Sequence, residues 1–430
     1  MTGAIGDPAE DAPASGLTGT LDAPAAPPAR RVGGRWITLI ALANLGLYLG
    51  FFGPLQVLLP NQVQAIAGSS GKVAVLGWVT ALGAASAMIA NPIAGALSDR
   101  TIGRFGRRHP WTIGGAVTSA VALALLAGQH TIAGVIVFWV LAQAGLNAML
   151  ASLTAAVPDH VPVSQRGAVS GWIGVPQTVG VVLAVLLVTV VVTGNAGYVL
   201  IAVLVAACAL PFALATSDPP LSRESRPAFS VAEFTRSFWL SPRRYPDFAW
   251  AWVTRFLIYL GNSMAILYLL YFLRDQIRYA DPEGGLLLLI LFYTLAVVLT
   301  TVIGGWLSDR SGRRKLHVTV SGLVMAGPAV MLAIWPTWPV TVAAAVILGL
   351  GYGVYLSVDQ ALVTQVLPSE AGYAKDLGII NIASAGPQVI GPAIAAPIVS
   401  SLGGYPALYL AVAVVTVLGS VLVWKIRSVP

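Results

Sequence analysis

Apolar runs long enough to cross about 30 Å of hydrocarbon recur along the chain, separated by short polar stretches. They fall at 36–58, 73–97, 111–128, 133–157, 168–193, 196–216, 249–272, 284–308, 317–335, 338–364, 376–401 and 404–424. The pattern predicts an all-α membrane protein with twelve transmembrane helices. Two joints, Gly194-Asn195 and Gly403-Gly404, are very short, which leaves ten spans as the alternative count. Residues 1–34 are rich in Ala, Pro and Gly and lack helical periodicity, so they read as a disordered cytoplasmic tail. The polar stretch 217–248 holds Pro219, Pro220, Pro227, Pro242 and Pro246 and five arginines, and reads as a cytoplasmic linker. It separates an N-terminal six-helix bundle (35–216) from a C-terminal one (249–430).

Composition narrows the class further. Hydrophobic residues make up 57% of the 430 and charged ones 10%, too few charges for a water-soluble surface, which normally draws on about 25%. A soluble enzyme and a disordered chain are both excluded on this ground. The net charge of +7 does not imply nucleic acid, because the charges sit between the apolar runs. With the N-terminus in the cytoplasm, 20 of the 24 Lys and Arg fall in inner segments, 3 (Lys72, Arg274 and Arg278) in outer loops, and 1 (Arg255) within a span. That bias predicts a multi-pass protein of the plasma membrane with both termini inside. Cys208 is the single cysteine, so no internal disulfide forms.

The two halves repeat at an offset of about 210 residues. Gly95-Ala-Leu-Ser-Asp99-Arg100 answers Gly305-Trp-Leu-Ser-Asp309-Arg310, and Gly106-Arg107-Arg108 answers Gly312-Arg313-Arg314. Pro158-Asp159 answers Pro368-Ser369-Glu370, and Pro176-Gln177 answers Pro387-Gln388. Parallel repeats flanking a cavity are one construction by which transporters alternate access. The paired Ser-Asp-Arg…Gly-Arg-Arg loops resemble the signature loop of the major facilitator superfamily. The longer first copy, Ser98 to Trp111, resembles that of the glycoside-pentoside-hexuronide and plant sucrose carriers. The resemblance implies two pseudo-symmetric bundles and a small-molecule substrate, with Asp99 and Asp309 pairing with neighbouring helices on the inner face.

In these loops an Asp ending one helix and Arg residues opening the next can form a charge-assisted latch. The candidates are Asp99, Arg100, Arg107 and Arg108, and Asp309, Arg310, Arg313 and Arg314; the plain alternative is a topology signal. Asp359 is the one acidic residue deep in a span, a placement costing about 2.5–3.5 kcal/mol on insertion scales. A carboxyl that is neutral in one access state and charged in the other would couple a proton to transport; the alternative is a structural lock to an arginine. Tyr352 and Tyr355 share its helical face at i, i+3, i+7. Arg255, with Tyr259 and Asn262 on its face, could snorkel, pair with Asp359, or bind an anionic substrate.

Amides at helical spacing complete the candidate set: Asn44 with Tyr48, Gln143 with Asn147, and Asn381 with Ser384 and Gln388. Facing lipid they would be unsatisfied, so they face inward, to bind substrate or fasten helices. With the tyrosines they suit a polyhydroxylated ligand. Sodium-binding carboxylates of melibiose-type carriers lie in span two, where this chain has Asn91 and Ala87. The Gly-Pro-x-x-Gly-Gly run of many drug–proton antiporters is broken at Gly174 to Gly180. No Walker loop, catalytic constellation, cofactor motif or metal-ligand spacing stands out. The expectation is a monomeric secondary transporter, importing a sugar or glycoside with protons, without cofactor or metal. Efflux of a drug or natural product is the alternative within transport, and a membrane sensor or lipid-handling protein the alternative outside it.

Overall fold

The computed structural model describes residues 31–218, 220, 241–366 and 373–428. Most of the tail and of the linker therefore lies outside the described residues, as do the side chains of Asp309 and Asn381. The described residues form helices and the turns that join them, with no strand among them. The helices are α1 (Gly34–Gly53), α2 (Leu59–Ser98), α3 (His109–Leu126), α4 (Ile132–His160), α5 (Val163–Leu186) and α6 (Ala196–Ala215). The second series is α7 (Pro246–Leu267), α8 (Pro282–Ser311), α9 (Arg314–Ile334), α10 (Trp338–Val366), α11 (Tyr373–Ser401) and α12 (Gly404–Leu422). Side chains cap the starts of α4 and α8: Thr131 Oγ1 accepts from Gly134 N at 3.2 Å, and Asp281 Oδ1 accepts from Gly284 N at 3.0 Å.

The expected break between the first two spans is absent. A π-turn, Pro54–Leu58, joins α1 to α2, and the chain stays helical to Ser98 apart from Gly68 at φ 69°. The joined run Gly34–Ser98 has 65 residues, about 98 Å if straight, three times the hydrocarbon thickness. It is two spans hinged near Gly68. The seventh span extends past the expected 272, but as Pro246–Leu267 and Leu269–Ile277 set at 44°. Ten apolar spans stand in the described residues, or eleven with that bent pair; counting the 65-residue run twice gives twelve.

Packing partners repeat with a shift of six helices. In the first half α1 lies against α5 and α6, α2 against α4, and α3 against α4 and α6. In the second, α7 lies against α11 and α12, α8 against α10, and α9 against α10 and α12. Across the halves α2 meets α11 and α5 meets α8, again a symmetric pair. In lipid, close approach replaces the hydrophobic effect as the source of helix affinity. At α3–α4, a Cβ on Gly115 would sit 2.6 Å from the Gly145 carbonyl oxygen. Large apolar side chains are exposed on the helix surfaces, Val302, Ile303, Trp306 and Val190 among them. Both ends of the described residues lie at one face: Gln165 Oε1 at the start of α5 accepts from Val32 N, and Asp247 at the start of α7 accepts from Arg427 N and Ser428 N.

Candidate functional site

The embedded charges meet each other. Arg255 on α7 and Asp359 on α10 approach to 2.7 Å between Nη1 and Oδ2, with both side chains buried. The angle is too poor for a hydrogen bond, and neither atom has another hydrogen-bond partner. Tyr355 Oη donates to Asp359 Oδ1 at 3.1 Å, and Arg255 Nε donates to Ser384 Oγ at 2.8 Å. One guanidinium thus ties α7 to α10 and α11. The guanidinium carbon lies 5.3 Å from the Tyr259 ring centroid. Tyr259 packs edge-on against Tyr352 and Tyr355, and Tyr352 stacks on Tyr293 at 6.1 Å. Counting along α7, Arg255 sits about 13 Å from the helix start at the terminal face. It pairs instead of snorkelling.

The amides divide. Asn44 Nδ2 donates to Ile40 O at 2.8 Å, and Asn147 Nδ2 donates to Gln143 O at 2.9 Å and to Gln143 Oε1 at 3.3 Å. Asn91 Nδ2 reaches Asn147 O at 3.4 Å, joining α2 to α4. These groups are occupied within the first bundle. Tyr48 stacks on Phe52 at 6.0 Å. In the second bundle Asn262 Oδ1 is buried and unpartnered. Gln388 is exposed, 3.5 Å from Ser263 Oγ. Grooves of about 350 and 300 Å³ lie elsewhere, beside Arg100 and Trp111 and beside Arg243 and Trp250.

The first signature loop is built on Arg108. It reaches Asp99 at 2.5 Å and Asp159 at 2.7 Å, and Nη1 donates to Ser98 Oγ at 2.5 Å. Arg107 joins Asp159 at 2.5 Å. Burial alone would push the Arg108 guanidinium down, but hydrogen bonding and charge from Asp159, then Asp99, hold it above the ordinary value. The latch therefore links the ends of α2, α3 and α4 within one bundle. Arg100, an expected member, lines the surface groove. Asp218 was not singled out, yet its Oδ2 accepts from Arg108 N at 2.5 Å and His109 N at 3.1 Å, capping α3. Gly106 stands at φ 80°, and a Cβ there would fall on the Asp218 carboxylate. In the second loop Arg310 lies over the Trp306 ring at 5.4 Å, and Arg313 is exposed.

A further polar cluster joins the halves at the face opposite the termini. Lys72 Nζ meets Asp275 Oδ1 at 2.7 Å, and Tyr405 Oη donates to Asp275 Oδ2 at 2.7 Å. Arg274 meets Glu283 at 3.0 Å and donates to Asn61 Oδ1 at 2.5 Å and Gln64 Oε1 at 3.1 Å. Tyr271 Oη donates to Pro60 O at 2.7 Å, and Tyr268 Oη to Val73 O at 3.1 Å. The sequence pattern places Lys72 and Arg274 in outer loops. The signal for the cluster was that these cations are exceptions to the inner-face charge bias.

The Major Facilitator Superfamily model matches residues 32–292 and 251–430. The chain belongs to the major facilitator superfamily. Solved members of similar fold include a variant of the nucleoside transporter NupG, at 11% identity and a TM-score of 0.73, over 91% of this chain and 99% of that one. A POT family transporter in complex with a thioalcohol-conjugated peptide superposes at 12% identity and a TM-score of 0.71, over 91% and 95%. Unmutated NupG gives 14% identity and 0.71, over 92% and 99%. No curated protein sequence matches. This major facilitator protein is an integral membrane protein of a family of transporters, so its substrate is a small molecule.

Proposed function

We propose that the chain imports a sugar or glycoside together with protons across the plasma membrane, by alternating access, with both termini in the cytoplasm. The observation that carries this reading is the Arg255–Asp359 pair within Tyr259, Tyr293, Tyr352 and Tyr355, buried inside the second bundle. Phenol hydroxyls and ring faces suit a polyhydroxylated ligand, and the carboxyl beside them is the proton site. Resemblance of the long Ser98–Trp111 loop to glycoside and sucrose carriers supports the solute class. Asn262 and Gln388 are the amides best placed to bind it, since Asn44, Gln143 and Asn147 are spent on their own helices. Tyr48, Tyr259, Tyr352 and Tyr355 supply the rings, and Asn381 belongs to the same proposed set. The Asp99–Arg108–Asp159 latch keeps the first bundle rigid as it moves.

The test is Asp359→Asn in proteoliposomes under an imposed pH gradient, with labelled sugars. Uphill uptake should vanish while exchange of solute down its own gradient persists. Wild-type uphill uptake in the variant would overturn the coupling role. Extrusion driven by the same gradient would replace import with efflux.

A further inference from the structure

Two imidazoles meet one buried carboxylate at the terminal face of the first bundle, apart from the Arg255–Asp359 site. His109 opens α3 and His160 closes α4. Asp218 follows α6, where the polar stretch 217–248 begins, and its side chain is 1% exposed. Its Oδ2 is taken by the Arg108 and His109 amides, while Oδ1 is buried without a hydrogen-bond partner. His160 Nε2 lies 3.9 Å from an oxygen of this carboxylate, the same Oδ1.

The partners of each ring decide how many protons it needs. Thr216 Oγ1 donates to Phe212 O at 2.6 Å, so toward His109 Nε2, at 3.1 Å, it can only accept. A neutral His109 with its proton on Nε2 meets that demand. His160 is different. Its Nδ1 stands 3.0 Å from Ala156 O and its Nε2 3.2 Å from Ser217 O, and a carbonyl oxygen can only accept. A neutral imidazole carries one N–H and must leave one of these contacts unmade. An imidazolium makes both and turns its charge to Asp218. The Trp36 ring, 5.8 Å away between centroids, adds an electron-rich face within reach of a cation. The other charges packed around His160 have partners of their own. Arg107 and Arg108 are held by Asp159, with Asp99 also on Arg108, and Arg166 of α5 donates to Val161 O and Pro158 O.

We infer that His160 is a proton-operated clasp on the start of the 217–248 stretch. Charged, it binds Ser217 O and faces Asp218 Oδ1, seating the chain as it leaves α6. Neutral, it gives up one carbonyl contact and leaves Oδ1 uncompensated, so the seat loosens. Imidazole changes charge between about pH 5 and about pH 8, so the clasp is held at the acidic end and lost as pH rises. It reads the aqueous side that the terminal face meets, and it stands apart from proton coupling at Asp359.

The test uses the full chain in nanodiscs and no substrate. Nitrogen NMR of isotope-labelled histidine, with His160 assigned by the signals lost in His160→Gln, should show both ring nitrogens protonated at about pH 5 and one proton released by about pH 8. A nitroxide on cysteine in place of the exposed Ser217, in a Cys208→Ala background, reports the seat. Its mobile fraction should rise at least threefold over the same range, in step with the His160 titration. His160→Gln should be mobile and His160→Lys seated at both ends of the range, since lysine restores the charge without the ring. His109→Gln should keep the parent's response. A His160 ring that stays neutral throughout, or a mobility change that survives His160→Gln, would overturn the clasp.

Discussion

The two signature loops share a sequence pattern, but their glycines meet different surroundings. In the first, Arg108 gathers Asp99 and Asp159, while Asp218 caps the next helix and occupies the space over Gly106. In the second, Arg310 lies on Trp306, and the space around Gly312 is open. The residues inserted between Arg100 and Gly106 give the first loop the length to fold back under Asp218. The extra length of the first copy is where the repeat departs from itself in sequence. Its glycines also do different work. Gly312, at φ 65°, ends α8 in a left-handed cap, whereas Gly106, at φ 80°, needs both the backbone angle and the missing side chain.

This contrast can be broken by substitution. Gly106→Ala adds a steric clash to left-handed strain and should cost about 3 kcal/mol in denaturant unfolding, against about 1 kcal/mol for Gly312→Ala, which meets strain alone. Equal losses would remove the distinction. Next, Arg108→Met leaves Asp159 with Arg107 alone and should cost about 2 kcal/mol, less than a fully buried pair because Arg107 remains and Asp99 is half exposed. Arg310→Met loses a surface ring contact worth about 0.5 kcal/mol. Thermal unfolding with a lipid-matched detergent separates these values.

Much of the fold was legible because lipid demands long apolar runs. Twelve such runs and their charge bias are visible without any contact. The continuity through Gly68 was not, since the Ser-Ser-Gly-Lys stretch is polar by composition and helical because the other half covers Lys72. Asp359 and Arg255 stood out as lone charges in apolar surroundings, and the pair they form follows from that isolation. Asp218 carried no such mark. It lies 110 residues from Arg108, at the edge of a proline-rich stretch, and spacing gives no hint of a partner so distant. Asp159 was noticed as a repeated element, but which cation it meets depends on how α3 crosses α4.

The 44° break after Leu267 divides the seventh span's loyalties. The long piece packs against α11 and α12, while the stub beyond it fastens by Tyr271 and Arg274 onto Pro60, Asn61 and Gln64 of the other half. Severed at 217–248 and co-expressed, the two fragments would still carry a handshake, a segment encoded in one and seated on the other.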